Sequence, residues 1–168
     1  MAPKQLVELK ARCPDLDAVR TRLSRDARLE AILAQHDTYF AVPRGRLKLR
    51  EVPERAAQLI LYDRPDIAAV KNSRIHLAEV PDGAALRVLL EAAFGVRARV
   101  HKRREIWRWQ GVQVHLDTVE GLGTFVEFEA SVDDETASAR AEQHLHQLLA
   151  ELGLGADTLL AGSYSDLA

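Results

Sequence analysis

Three basic residues alternate with leucine in the run Arg46-Leu47-Lys48-Leu49-Arg50. On an extended chain successive side chains point to opposite sides and each residue advances about 3.3 Å, so these cations share one face at steps of about 6 to 7 Å. Lys102 and Arg104 repeat the pattern, and so do Lys10 and Arg12. Like charges in a row repel unless an anion lies against them. Phosphate suits this mixture, because arginine grips its oxygens with paired N–H donors while lysine acts as a point charge. Acidic residues form a complementary set: Glu127 and Glu129 share a strand face, Asp117 lies one hairpin earlier, and Glu8 faces the same way as Lys10. Carboxylates at this density suit Mg²⁺ or Mn²⁺, hard ions that bridge protein oxygens to substrate phosphates. A cavity with cations at one end and a carboxylate-bound metal at the other can bind a triphosphate and polarise it. Each charged face taken singly also fits the solvated side of an antiparallel sheet; repetition with this content favours a shared enclosed site.

The remaining conspicuous residues carry less. His36, His76, His101, His115, His144 and His146 show no metal-type spacing and read as surface or structural, although His115 and Asp117 share a face. Trp107 and Trp109 lie on the strand face opposite Lys102 and Arg104, where packing beneath a helix is expected. Cys13, beside Pro14, has no histidine arrangement that would make it a nucleophile. Tyr39 can either meet a substrate or pack.

These side chains need strands to aim them. Extended segments are expected over 5–12, 28–42, 46–50, 58–64, 98–109, 112–119 and 124–132, with turns at Pro43-Arg44-Gly45, Gly111 and Gly121-Leu122-Gly123. Helical spacing appears over 16–24 after Asp15, over 81–95 with Asp82 as a cap and Gly95 as a stop, and over 134–152 ahead of Gly153. The final segment, 159–168, shows no period. Hairpins with helices inserted at intervals indicate an α+β fold whose antiparallel sheet must close or be covered.

Composition bounds the rest. A chain of 168 residues fits one domain, 1–168, that buries roughly two-thirds of its unfolded surface. With 47% hydrophobic and 29% charged residues it reads as globular. A net charge of −2, from 23 basic and 25 acidic residues, argues against coating nucleic acid, and no nucleic-acid partner is expected. A single cysteine excludes an internal disulfide and a cysteine-built zinc site. Neither a long apolar run nor an apolar core after Met1-Ala2-Pro3-Lys4 is present, so a cytoplasmic location away from membranes is expected.

Glu8-Leu9-Lys10, Asp37-Thr38-Tyr39-Phe40, the run from Gly45 to Glu51, Lys102-Arg103-Arg104-Glu105, the run from Leu116 to Glu129 and Gly162-Ser163-Tyr164-Ser165-Asp166-Leu167 together resemble the CYTH superfamily, in the family's order across nearly the whole chain. The stretch Leu116–Glu129 is the most specific. The resemblance implies a closed eight-stranded antiparallel β-barrel, a triphosphate tunnel, with flanking helices. It implies that Lys10, Arg46, Lys48, Arg50, Lys102 and Arg104 contact phosphates, with Arg64 a further wall position and Lys10 and Arg104 the residues expected to act on the reacting phosphate. Glu8, Asp117, Glu127 and Glu129 would hold Mg²⁺ or Mn²⁺, and a homodimer is compatible with it. The implied activity is that of a class IV adenylyl cyclase, making cyclic AMP and pyrophosphate from ATP, or of a thiamine triphosphatase or inorganic triphosphatase. One position departs from the family's Glu-x-Glu-x-Lys motif: Leu6 stands where its first glutamate would be. That loss of a carboxylate leaves room for a non-catalytic polyphosphate- or nucleotide-binding module.

Overall fold

The computed structural model describes residues 3–168; Met1 and Ala2, which entered the reading of the N-terminus, lie outside it. Strands β1 (Lys4–Arg12), β2 (Arg28–Phe40), β3 (Arg46–Glu51), β4 (Ala57–Asp63), β5 (Lys71–Val80), β6 (Val96–Trp109), β7 (Val112–Val119) and β8 (Gly123–Val132) close into an antiparallel barrel in the order β1-β5-β4-β3-β2-β6-β7-β8. Closure leaves no edge strand to be shielded. Every expected strand is present. β5 was not expected, because its inward positions Lys71, Ser73, Ile75, Leu77 and Glu79 mix charged, polar and apolar types and give no alternation to read.

The outward face is as apolar as the inward face is charged. Val7, Leu9 and Ala11 of β1, Trp107 and Trp109 of β6, Val114 and Leu116 of β7, and Val126 and Phe128 of β8 point away from the tunnel. They form one buried cluster with Val19 and Leu23 of α1 (Leu16–Leu23) and Leu145, Leu148 and Leu149 of α3 (Glu135–Glu151). Both tryptophans thus lie beneath helices, and Arg22 stacks its guanidinium 4.8 Å from the Trp109 ring centre. On the opposite flank α2 (Gly83–Phe94) covers Phe40, Leu49 and Ala57 through Leu86 and Leu90. The three helices are capped by Asp15, Asp82 and Asp134, each accepting a backbone N–H three residues on at 2.9, 2.9 and 2.7 Å.

Beyond α3 the chain makes two short 3-10 turns, Ala156–Thr158 and Tyr164–Asp166. Leu159 bridges Ala11, and the Leu160 N–H donates to the Lys10 carbonyl at 2.9 Å, which brings the C-terminus across one end of the barrel. There Tyr164 and Leu160 pack with Tyr39, Tyr62, Val100, Val119 and Phe125 and fill the interior. Among the described residues, this packing fills that end of the barrel.

Candidate active site

Side chains from all eight strands line a cavity of about 890 Å³ inside the barrel. The charged residues are there because strand alternation sends each of them inward while its neighbours pack under the helices. Six interior cations, Lys10, Lys48, Arg64, Lys71, Lys102 and Arg104, are at least nine-tenths buried, against four equally buried interior carboxylates, Glu8, Asp37, Asp117 and Glu127. Arg50 and Glu129, half-buried, join the same wall.

Four carboxylates organise these cations. Asp37 accepts from Arg50 at 2.7 and 2.8 Å, from Lys48 at 3.1 Å, and lies 3.6 Å from Lys102. Asp117 accepts both forks of Arg104 at 2.7 and 2.6 Å and the Tyr164 hydroxyl at 2.7 Å. Glu127 accepts from Arg104 at 2.7 Å and lies 3.6 Å from Lys10, its direct cross-strand neighbour. Glu8 is ion-paired with Arg64, which also donates to Ser163 Oγ at 2.9 Å.

Burial opposes charge on all of these groups, and the outcome differs by sign. For Asp37, Arg50, Lys48 and Lys102 more than offset burial and hold the carboxyl well below its usual range. For Glu127, Lys10 and Arg104 do the same. Lys48 and Lys102 are less well compensated. Burial and the adjacent Arg50 bring Lys48 down to about 8 despite Asp37, and burial with Arg104 lowers Lys102 well below the normal lysine value. A wall in which Asp37, Asp117 and Glu127 are firmly ionised while Lys48 and Lys102 are held reluctantly as ammonium ions lacks negative charge. An anion entering the cavity supplies it.

The floor and the mouth differ in chemistry. Tyr164, Tyr62 and Ser163 form the floor, with a 2.6 Å hydrogen bond between the Tyr62 hydroxyl and Ser163 Oγ. At the other end Leu6, Leu33, Val52, Leu77 and Ile106 line the wall between polar residues such as Gln58 and Gln113. The ladders carry the β1 start, the β8 end, the β7 start and the β6 end to that same end of the barrel.

A CYTH domain profile matches residues 4–164 of this chain. The chain belongs to the CYTH family. This CYTH protein is 31% identical over 68 residues to a Methanocaldococcus jannaschii protein named “putative adenylate cyclase”, a match spanning 40% of this chain and 39% of that relative. Its fold superposes with a TM-score of 0.85 on a conserved hypothetical protein from Pyrococcus furiosus, 25% identical and covering 97% of this chain and 99% of that one. A Vibrio parahaemolyticus structure, also named as a putative adenylate cyclase, gives a TM-score of 0.81 at 25% identity, covering 96% of each chain.

Set against the residues expected from sequence, Lys10, Lys48, Arg50, Arg64, Lys102 and Arg104 of the CYTH protein all line the cavity. Arg46 does not. It lies past the floor, paired with Asp66 at 2.7 Å and Asp166 at 3.0 Å. Of the four expected metal ligands, Glu127 and Glu129 converge with His115, and donor atoms of the three lie within 4.8 Å of one another. Glu8 is adjacent to Glu129 in the ladder but turned to Arg64, and both oxygens of Asp117 are taken by Arg104 and Tyr164. The Nδ1 of buried His115 has no hydrogen-bond partner, so two carboxylates and an unpartnered imidazole nitrogen together fit a divalent ion.

Sequence reasoning passed over four interior groups. Asp37 lies directly opposite Arg50 in the β2–β3 ladder, and His115 directly opposite Glu127 in the β7–β8 ladder. His115 shares a face with Asp117 and Asp37 with Tyr39, so strand parity held part of the signal. Lys71 belongs to the unforeseen β5 and donates to the Leu160 carbonyl at 2.7 Å. Tyr164 is in the segment without a period.

Proposed function

We propose that this CYTH protein is a metal-dependent enzyme acting on an organic triphosphate, and that the reaction is conversion of ATP to cyclic AMP and pyrophosphate. The observation that carries the reading is the excess of buried cations over carboxylates in a one-ended cavity. Buried like charges are costly unless paired, and a polyphosphate is the ligand whose charge density answers them. The apolar stretch at the mouth, with Leu6 where a carboxylate would otherwise stand, favours an organic group there over a bare inorganic chain. The cyclase chemistry rests on the likeness to the relatives named above.

In this reading Lys48, Arg50 and Lys102 hold the inner phosphates, and Lys10 and Arg104 lie beside the carboxylates that would hold the metal. Glu127 and Glu129, with His115, would hold a divalent ion, which when bound neutralises phosphate charge and makes phosphorus more open to attack. The ribose 3′-oxygen forms a bond to the α-phosphorus, the bond to the bridging oxygen breaks, pyrophosphate leaves with the electron pair, and the hydroxyl proton passes to solvent. The wall supplies position and charge, which dominate phosphoryl and nucleotidyl transfer. Product analysis with ATP and Mg²⁺ or Mn²⁺ tests it. Cyclic AMP and pyrophosphate are expected. ADP and phosphate would replace the cyclase with a triphosphatase, and tight ATP binding without turnover would make this a binding module.

A further inference from the structure

Two observations about His115 go beyond a carboxylate-held ion. The residue is 2% exposed, and its Nε2 pairs with Gln113 Oε1 at 3.1 Å, a contact that holds the ring in place. The other nitrogen, Nδ1, is buried and without a hydrogen-bond partner, 3.8 Å from Glu127 Oε2 and 3.9 Å from Glu129 Oε1. A buried ring nitrogen that faces two carboxylate oxygens beyond hydrogen-bond distance leaves all three groups to be satisfied by a cation placed among them. A side-chain partner on one ring nitrogen, with the other turned toward carboxylates, is the arrangement that orients an imidazole as a metal ligand.

We infer that His115 Nδ1 is a ligand, with Glu127 and Glu129, of a site that selects a first-row transition dication over Mg²⁺, and that Gln113 is the residue that positions it. Imidazole nitrogen suits later first-row ions such as Fe²⁺, Co²⁺ and Zn²⁺ best and is also taken by Mn²⁺, the weakest binder of that series, whereas Mg²⁺ is satisfied by oxygen and water alone. The site thus replaces the carboxylate lost at Leu6 with a nitrogen donor from the neighbouring hairpin and shifts the metal preference with it. This rests on the proposed function only in placing the ion beside the basic wall.

The test uses the full chain, Mn²⁺ and Mg²⁺ as probes, and no turnover. Pulsed electron paramagnetic resonance of Mn²⁺-loaded protein is expected to show coupling to an imidazole ¹⁴N, absent in H115N. Calorimetric affinity for Mn²⁺ is expected to fall at least tenfold in H115N while that for Mg²⁺ changes less than threefold. Gln113→Leu keeps the ¹⁴N coupling and weakens Mn²⁺ binding, since the ring survives and its orientation is freed. Bound Mn²⁺ without nitrogen coupling, an unchanged Mn²⁺ to Mg²⁺ ratio in H115N, or failure of the wild-type chain to bind either ion would overturn the inference. Tripolyphosphate binding without metal, followed by thermal melting, reports on the basic wall alone, so loss of the triphosphate reading shows itself separately.

Discussion

At the scale of single residues, two basic side chains of the same wall have different consequences when removed. Lys48 shares Asp37 with Arg50 and Lys102, so in Lys48→Ala the carboxylate keeps two partners. Tripolyphosphate affinity is expected to drop at least tenfold, about 1.4 kcal/mol, with little change in melting temperature. Arg104 is the counter-ion of both Asp117 and Glu127, and Arg104→Ala leaves two buried carboxylates short of charge. It should cost about 3 to 5 kcal/mol of stability as well as binding, read from urea unfolding. Lys48 also sets a pH dependence. Its folded value is lowered from 10.5 to about 8, so between these limits the unfolded chain holds a proton that the folded chain lacks, and the lysine's contribution to ligand-free stability rises with pH across that window. A bound anion favours the ammonium form. Tripolyphosphate binding should therefore take up protons above pH 8 and weaken as pH rises further. Calorimetry at pH 8.5 in two buffers of different ionisation enthalpy measures this, and identical apparent enthalpies in both would count against it.

Elements were legible to the extent that their two faces differed. β3 could be placed because its charged inward positions alternate with leucine, β6 because its aromatic and branched residues favour an extended chain ahead of the Gly111 turn, and α1, α2 and α3 because each has an aspartate cap and a spaced apolar stripe. The same alternation placed Lys10, Lys48, Lys102, Arg104, Glu127 and Glu129 inside the barrel. What could not be read was where faces mix, as in β5, or where conformation depends on partners far along the chain. The closing segment takes its shape from Tyr164 on Asp117, Ser163 on Tyr62, and Asp166 on Arg46 and Arg97, none of which is local. Arg46 continued the strand pattern, yet that segment drew it into a different set of pairs. Tight helix docking gives a prediction at this scale. A Cβ on Gly83 would lie 2.5 Å from that of Ala57, so Gly83→Ala must push α2 off β4 and is expected to destabilise by about 1 to 3 kcal/mol, although alanine is the better helix former. An unchanged urea midpoint would show that α2 shifts freely.

For the molecule as a whole, the apolar side of each strand faces helices and the charged side faces the cavity, so stability and binding capacity come from opposite sides of the same eight strands. Tripolyphosphate at 100 times its dissociation constant should raise folding stability by about 2.7 kcal/mol, seen as a higher melting temperature, while Trp109→Ala removes about 3 to 5 kcal/mol without touching the cavity. The two effects should add, because Trp109 faces the helices. The filled end behind Tyr164 also fixes a traffic order. With a single doorway, a triphosphate enters phosphates first, and after cleavage the fragment nearer the doorway has to depart before the deeper one. Pyrophosphate would then be the last product out, and adding it to the assay should inhibit competitively against ATP, whereas cyclic AMP should not.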